Sequence, residues 1–233
     1  MGAGIIIYNN SGHLQIDDTY SNLYLLRKTK LSDWAYDSTY GCYVNTPQEG
    51  EVCYALGCKD RTKKVSALVG DMRDGQGRYV RPDNKIGIAY VQPDSSHAAV
   101  SEVDVYAFGV RDTRVPAHGQ GLCVYDANGK AVYCSDDKSM RVLYWGNVNT
   151  PFFYGHDKDV ALIQRDTCYD YVKISGGGWT YWTYKRSKYY EIADGYLYLK
   201  TEEYSVQVNP PQYEDGERHE GITPCILVDV TGY

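Results

Sequence analysis

Near its start the chain carries the run Gly4-Ile5-Ile6-Ile7-Tyr8-Asn9-Asn10-Ser11-Gly12, which returns at the midpoint as Gly121-Leu122-Cys123-Val124-Tyr125-Asp126-Ala127-Asn128-Gly129. Every matched position is displaced by 117 residues, about half of the 233 in the chain. Asn128-Gly129 favours a hairpin because both residues tolerate a positive φ angle, and Ser11-Gly12 relies on its glycine in the same way. The sequence therefore predicts two copies of one hairpin, with return strands at 13–16 and 130–134.

The spacing of the two copies predicts a chain built from two similar lobes. The segment 111–119 between them is polar, contains Pro116 and Gly119, and directly precedes the second copy. We place the boundary there, which gives an N-terminal lobe at residues 1–115 and a C-terminal lobe at residues 116–233. The alternative is a single domain in which two unrelated hairpins share a common turn sequence.

Short runs with a period of two recur along the chain, separated mostly by glycine, proline, asparagine or aspartate. This pattern is typical of an antiparallel sandwich or barrel. With 25 tyrosines against 3 phenylalanines, most bulky side chains suit strands and half-wet surfaces. We predict an all-β protein of two similar β-sandwich-like lobes, with strands in the runs 85–92, 102–110, 141–145, 169–174, 179–184, 196–200, 204–208 and 224–230.

Charge and hydropathy exclude several classes of partner. The formal net charge of −6 argues against non-specific binding to DNA or anionic membranes, which needs a basic patch. No run approaches the roughly 18 apolar residues of a membrane-spanning helix, and the first eight residues lack the features of a signal peptide. The 7 cysteines show no framework spacing and are expected to be reduced thiols. We expect cytoplasmic synthesis, no nucleic-acid partner and no membrane insertion.

Residues that could carry catalysis are present, but they form no recognisable site. Asp17 and Asp18 follow the first hairpin, and adjacent strand residues point to opposite faces, so these acids suit a solvated turn. Cys53 and Cys58 are separated by four residues, the upper end of the usual spacing of a zinc pair, and no second pair completes four ligands. Neither a GxSxG nucleophile motif nor a phosphate-binding loop occurs. We therefore expect no enzyme activity, no metal and no cofactor.

The densest aromatic stretch is Trp179-Thr180-Tyr181-Trp182-Thr183-Tyr184. In a strand, Trp179 and Tyr181 point to one face whereas Trp182 and Tyr184 point to the other, so one face is expected to join the core. The other face is expected to be an interface or a platform for sugar stacking. Alternatively, these aromatic side chains fill a core that is poor in phenylalanine. The same alternative applies to the aromatics that follow, at Tyr189, Tyr190, Tyr196 and Tyr198.

The hairpin segments also carry a family resemblance. Residues 2–22 and 119–133 resemble a poorly characterised family of tailed-bacteriophage proteins, which are encoded among tail-tip and tail-fibre genes and treated as virion structural components. The resemblance implies a structural protein of the tail tip or the tail-fibre attachment region. It implies synthesis in the host cytoplasm, several copies in the virion tail, and other tail proteins as partners. The family supplies no catalytic or ligand residues to transfer.

Two hypotheses follow for how such a protein binds. The N-terminal hairpin, around Tyr8, Asp17, Asp18 and Tyr20, is expected to present an open strand that extends the sheet of a partner tail protein. In the alternative interpretation, the two aspartates prevent such pairing. The alternative function is a lectin-like or receptor-binding module in which the aromatics at 179–184 stack on host-surface glycans.

Overall fold

The computed structural model describes residues 7–8, 14–16, 23–38, 42–69, 84–90, 94–110, 122–125, 131–134, 138–148, 150–164, 168–175, 181–208 and 224–233. Over this part of the chain the regular elements are strands, apart from one turn of 3-10 helix at Leu31–Asp33. The all-β prediction is confirmed. Within the same ranges no helix is long and apolar enough to cross a membrane.

Most strands are short, and each of the eight predicted runs overlaps one of them. The runs 196–200 and 204–208 belong to a single strand of 13 residues. In chain order the strands are β1 (Ile7–Tyr8), β2 (Leu14–Ile16), β3 (Tyr24–Lys30), β4 (Ala35–Asp37), β5 (Cys42–Asn45), β6 (Glu51–Cys58), β7 (Ala67–Val69), β8 (Ile86–Tyr90), β9 (Val103–Gly109), β10 (Cys123–Tyr125), β11 (Ala131–Cys134), β12 (Arg141–Gly146), β13 (Phe152–Phe153), β14 (Val160–Ile163), β15 (Cys168–Ser175), β16 (Tyr181–Ala193), β17 (Tyr196–Val208) and β18 (Cys225–Asp229).

The largest sheet is antiparallel throughout and has the strand order β12-β18-β14-β6-β9-β3. Its two edges meet next to β12 and β3. There the Leu25 N–H donates to the Lys138 carbonyl at 2.8 Å, and the Met140 N–H donates to the Leu23 carbonyl at 2.7 Å. The six-stranded sheet therefore closes on itself at one end, in the manner of a small barrel.

The main core lies between the six-stranded sheet and two four-stranded sheets of order β4-β5-β8-β7 and β13-β17-β16-β15. Leu56, Ile88 and Leu197 come from these three sheets and belong to one buried cluster. The opposite face of the six-stranded sheet carries a second cluster, around Phe108 and Val228. All seven residues of β9 are buried for this reason, and full burial of a large apolar side chain contributes about 1.5–3 kcal/mol.

Both predicted hairpins form antiparallel pairs, β1 with β2 and β10 with β11. Ile7 lies opposite Ile16, and Val124, 117 positions later, lies opposite Tyr133. The register shifts after Ile7 and again after Val124, so the irregularity repeats as well.

The six-stranded sheet does not separate at residue 115. Strands β3, β6 and β9 precede this position, strands β12, β14 and β18 follow it, and β6 pairs with β14. The internal repeat and the two sandwich-like lobes are therefore not confirmed. The boundary between residues 1–115 and 116–233 stays a prediction.

The sequence predicted that the cysteines are reduced thiols. This prediction is wrong for Cys123, because this residue is disulfide-bonded. Cys134 lies opposite Cys123 in the register of β10 and β11. The spacing of the cysteines did not indicate a bond, because strand register decides which residues face each other. Burial raises the pKa of Cys53 to about 11 and that of Cys225, one of the free cysteines, to about 12.

Candidate functional site

The longest regular unit of the described chain is the hairpin of β16 and β17, which pair over their full length. The turn residues Asp194 and Gly195 have φ angles of 46° and 80°. Positive φ at both central positions is the geometry of a type I′ turn, which Asp-Gly favours. β13 pairs with the outer edge of β17 and places Phe153 opposite Tyr196. Residues 152–153 and 196–200 therefore form one continuous surface.

Alternation along the first residues of β17 separates a face that packs in the core from a half-buried one. Leu197 is fully buried in the main core, and its neighbours Tyr196 and Tyr198 point to the other face. Phe153, which is 52% exposed, lies beside them. The ring centroids of Phe153 and Tyr196 are 4.9 Å apart, and those of Tyr196 and Tyr198 are 5.8 Å apart. We call Phe153, Tyr196 and Tyr198 the aromatic row.

Polar groups lie at both ends of the aromatic row. The His156 ring meets the Phe153 ring edge-on, with 5.3 Å between centroids, and its Nδ1 lies 3.7 Å from the exposed carboxylate of Asp194. At the other end the Lys200 ammonium lies 5.2 Å from the centroid of the Tyr198 ring. The surface thus offers a partner both flat apolar contact and groups that form hydrogen bonds.

Behind Lys200 lies a chain of charged side chains. The Lys200 ammonium is 3.7 Å from Glu191 Oε1, and Glu191 Oε2 is 3.0 Å from His97 Nε2. His97 Nδ1 is 3.0 Å from Asp94 Oδ1. Only the imidazolium ring can donate to both carboxylates at once, because the neutral ring carries a single N–H. We call Asp94, His97 and Glu191 the histidine clamp.

Backbone pairing explains how His97 reaches Glu191, which lies 94 positions later in the chain. The adjacent residues 64 and 65 connect the two regions. Lys64 exchanges backbone hydrogen bonds with the segment 96–98, and Val65 exchanges them with Ile192. The turn that carries His97 is therefore held against β16 at the position of Glu191.

The accessible groups of this surface suit binding. Glu191 and His97 are buried, so a substrate cannot contact either one while the turn is in place. Hydrogen bonds from Ser96, and after them from His97, hold the pKa of Asp94 below its usual range, so this carboxylate is ionised in the clamp. In the described ranges no group of three or more histidine, cysteine or acidic residues could hold a metal ion.

The structure does not test the sites predicted from the sequence. Four of those residues lie outside the described ranges, namely Asp17, Asp18, Tyr20 and Trp179. The other four belong to parts of strands in which the backbone alone is described, Tyr8 in β1 and Tyr181, Trp182 and Tyr184 in β16. Their roles as a docking edge and as a glycan platform stay predictions.

The aromatics that follow the 179–184 stretch divide between core and surface. Tyr190 is buried in the main core, whereas Tyr196 and Tyr198 belong to the aromatic row. The sequence contained a signal for this surface, because Asp194-Gly195 between two alternating runs indicates a two-residue hairpin. It contained none for Phe153, which reaches the row only through the pairing of β13 with β17.

Comparisons of the chain with protein-family models, with curated proteins and with solved structures each found no match. The functional argument therefore rests on the geometry of the aromatic row and its polar ends.

Proposed function

We propose that the protein is a glycan-binding module and that its ligand stacks on the aromatic row. The observation that carries the proposal is the row itself, three neighbouring rings on the outer face of a hairpin that is anchored in the core. A sugar ring has a flat apolar face of C–H groups bordered by hydroxyls. The row matches this pattern with aromatic rings bordered by His156, Asp194 and Lys200.

The aromatic row is distinct from the platform predicted at 179–184. Most residues of both surfaces belong to the hairpin of β16 and β17. Tyr181 pairs with Val208, which lies ten residues beyond Tyr198 along β17, an even number that corresponds to the same face. At about 3.4 Å per residue, the two positions are about 34 Å apart along the strand. A short oligosaccharide would occupy the row alone, and only a polymer would reach both surfaces.

Replacing Tyr198 or Phe153 by alanine is expected to weaken glycan binding about 5- to 30-fold. Each substitution removes an aromatic face whose burial against a sugar contributes about 1–2 kcal/mol. The ligand is first found on a glycan array, and the affinities of the variants are then measured by isothermal titration calorimetry.

Tyr36→Ala is the matched control for these two variants. Tyr36 is 60% exposed on β4 and packs against Tyr43 at 5.2 Å between ring centroids, so it is a comparable tyrosine pair on a different sheet. We expect this variant to bind glycan as the native chain does. The proposal is abandoned if the array shows no ligand, or if the row variants bind as tightly as Tyr36→Ala.

A protein interface is the second candidate, and an exposed tryptophan supports it. Beyond the contact of residues 138–140 with β3, β12 is an edge strand of the six-stranded sheet, its Trp145 is 76% exposed, and Val142 is also exposed. An apolar edge strand is a place where a strand of another chain can add to the sheet. This supports the role implied by the resemblance, a virion component of the tail tip or tail-fibre region that contacts other tail proteins. In that role, we infer that the β1–β2 and β10–β11 hairpins, whose strands pair in the same register, are two copies of one docking motif.

Quantitative mass spectrometry of purified virions of the encoding phage tests the second candidate. We expect the protein at a fixed ratio to a known tail-tip protein. Trp145→Ser should lower its incorporation about tenfold, because a central exposed aromatic typically contributes 1–2 kcal/mol or more to an interface, whereas Tyr36→Ser should leave incorporation unchanged. Absence of the protein from finished particles would rule this role out.

A further inference from the structure

We propose that the aromatic row selects acidic glycans and that Lys200 binds a carboxylate of the sugar that stacks on Tyr198. This inference rests on the proposed function and names its ligand class. Lys200 follows Tyr198 on the same face of β17, and its side chain is 43% exposed. Because its ammonium lies 5.2 Å from the ring centroid, a substituent of a sugar stacked on that ring comes within its reach.

The histidine clamp leaves the charge of Lys200 available to a ligand. The separation of 3.7 Å from Glu191 Oε1 is longer than a hydrogen bond. Glu191 Oε2 already has a closer partner in His97 Nε2, 3.0 Å away. Glu191 is buried, whereas Lys200 is partly exposed. Among the described side chains of the clamp and Lys200, the ammonium is the positive charge that a ligand contacts, whereas the carboxylate of Asp94, 55% exposed, lies across the His97 ring from Glu191.

The opposite end of the aromatic row has the opposite preference. Asp194 is an exposed carboxylate on the turn, beside His156. It lies in the turn before Tyr196, and Tyr196 is four residues from Lys200, about 14 Å along the strand; this is beyond the screening length of about 8–10 Å at physiological salt. Asp194 thus does not cancel the field of Lys200, but it disfavours a second carboxylate near itself. The arrangement fits a glycan in which acidic and neutral sugars alternate.

Hyaluronan fragments and their carboxyl-reduced form are the matched probes, because reduction converts each glucuronate into a neutral glucose and changes nothing else. We expect the native protein to bind the acidic fragment at least tenfold more tightly at low salt. The ratio of the two affinities should fall as salt is added, because a charged contact near the surface is screened. Isothermal titration calorimetry measures both affinities.

Two lysine variants identify the contact. Lys200→Met should lower the ratio of affinities toward one, and Lys200→Arg should keep most of it. Lys138→Met is the control, since Lys138 also lies over a tyrosine ring, 5.6 Å from the centroid of Tyr233, but on another part of the molecule. We expect this variant to keep the native ratio.

The outcomes separate this inference from the proposed function. Equal binding of both probes, with loss of binding in Tyr198→Ala, would leave the glycan module intact and overturn the selectivity for acids. A tenfold ratio that survives in Lys200→Met would overturn the role of Lys200. Binding of neither probe would also overturn the inference, and the glycan array would then decide separately whether the aromatic row binds sugars.

Discussion

Replacing Glu51 by alanine is expected to lower the free energy of unfolding by about 3–5 kcal/mol, because it removes one partner of a buried ion pair. The Glu51 side chain is 0% exposed. Its carboxylate accepts two hydrogen bonds from Arg27, at 2.8 and 3.0 Å, one from the Tyr54 hydroxyl at 2.9 Å and one from the Gln48 N–H at 2.9 Å. The substitution leaves the part-buried guanidinium and hydroxyl without this acceptor.

Two further variants show whether the loss arises from an orphaned charge. The double variant Arg27→Met with Glu51→Leu removes both charges and should recover most of the stability. Arg61→Ala breaks a more exposed pair, in which Nη2 lies 2.7 Å from Asp159 Oδ1, and should cost about 1 kcal/mol or less. Urea denaturation followed by circular dichroism measures all of these variants. A loss below about 1 kcal/mol in Glu51→Ala would contradict the argument, since exposed pairs have that magnitude.

Raising the pH is expected to unfold the protein between about pH 10 and 12. Burial raises the pKa of Cys53 to about 11 and the pKa values of Cys225, Tyr154 and Tyr190 to about 12. Burial likewise raises the pKa values of three further tyrosines, Tyr54, Tyr90 and Tyr106. All of these groups are neutral when protonated, so the folded chain favours their protonated forms.

The sign of the effect follows from proton counting. In the unfolded chain the same thiols and phenols ionise near pH 8.5 and 10, so above these values the unfolded chain binds fewer protons than the folded one. The contribution of these groups to the free energy of unfolding is therefore complete below the pKa values of the unfolded chain. It is lost as the pH rises from those values toward the raised pKa values of the folded chain. One pKa unit corresponds to about 1.4 kcal/mol. Several such groups together exceed the about 5–15 kcal/mol that holds a typical domain folded.

Circular dichroism and the near-ultraviolet absorbance of ionised tyrosine, recorded in one pH titration, test this prediction. The buried tyrosines should ionise only as the strand signal is lost. Cys225→Ala removes one titrating group. The free energy of unfolding of this variant should therefore decrease less between pH 7 and pH 10 than that of the native chain. Complete tyrosine ionisation with the strand signal intact would contradict the explanation.

Local pattern predicted part of the elements of this fold, whereas strands such as β3 and β6 were not predicted. Alternation in the run 102–110 predicted β9, and the turn residues Asn128-Gly129 predicted the β10–β11 hairpin. These signals are readable because the period of a strand and the backbone freedom of a turn residue are properties of a few adjacent positions. The same pattern could not show that β9 is buried on both faces, which depends on what packs against each side of the sheet.

The candidate site required contacts between distant parts of the chain. By itself the sequence determined that the protein is all-β and that Tyr196, Tyr198 and Lys200 share one face of a strand. Only the tertiary structure decided that this face is partly accessible, that Phe153 extends it, and that His97 meets Glu191 across 94 positions. The physical reason is that alternation fixes which side chains share a face, whereas pairing between strands decides whether that face meets the core or water.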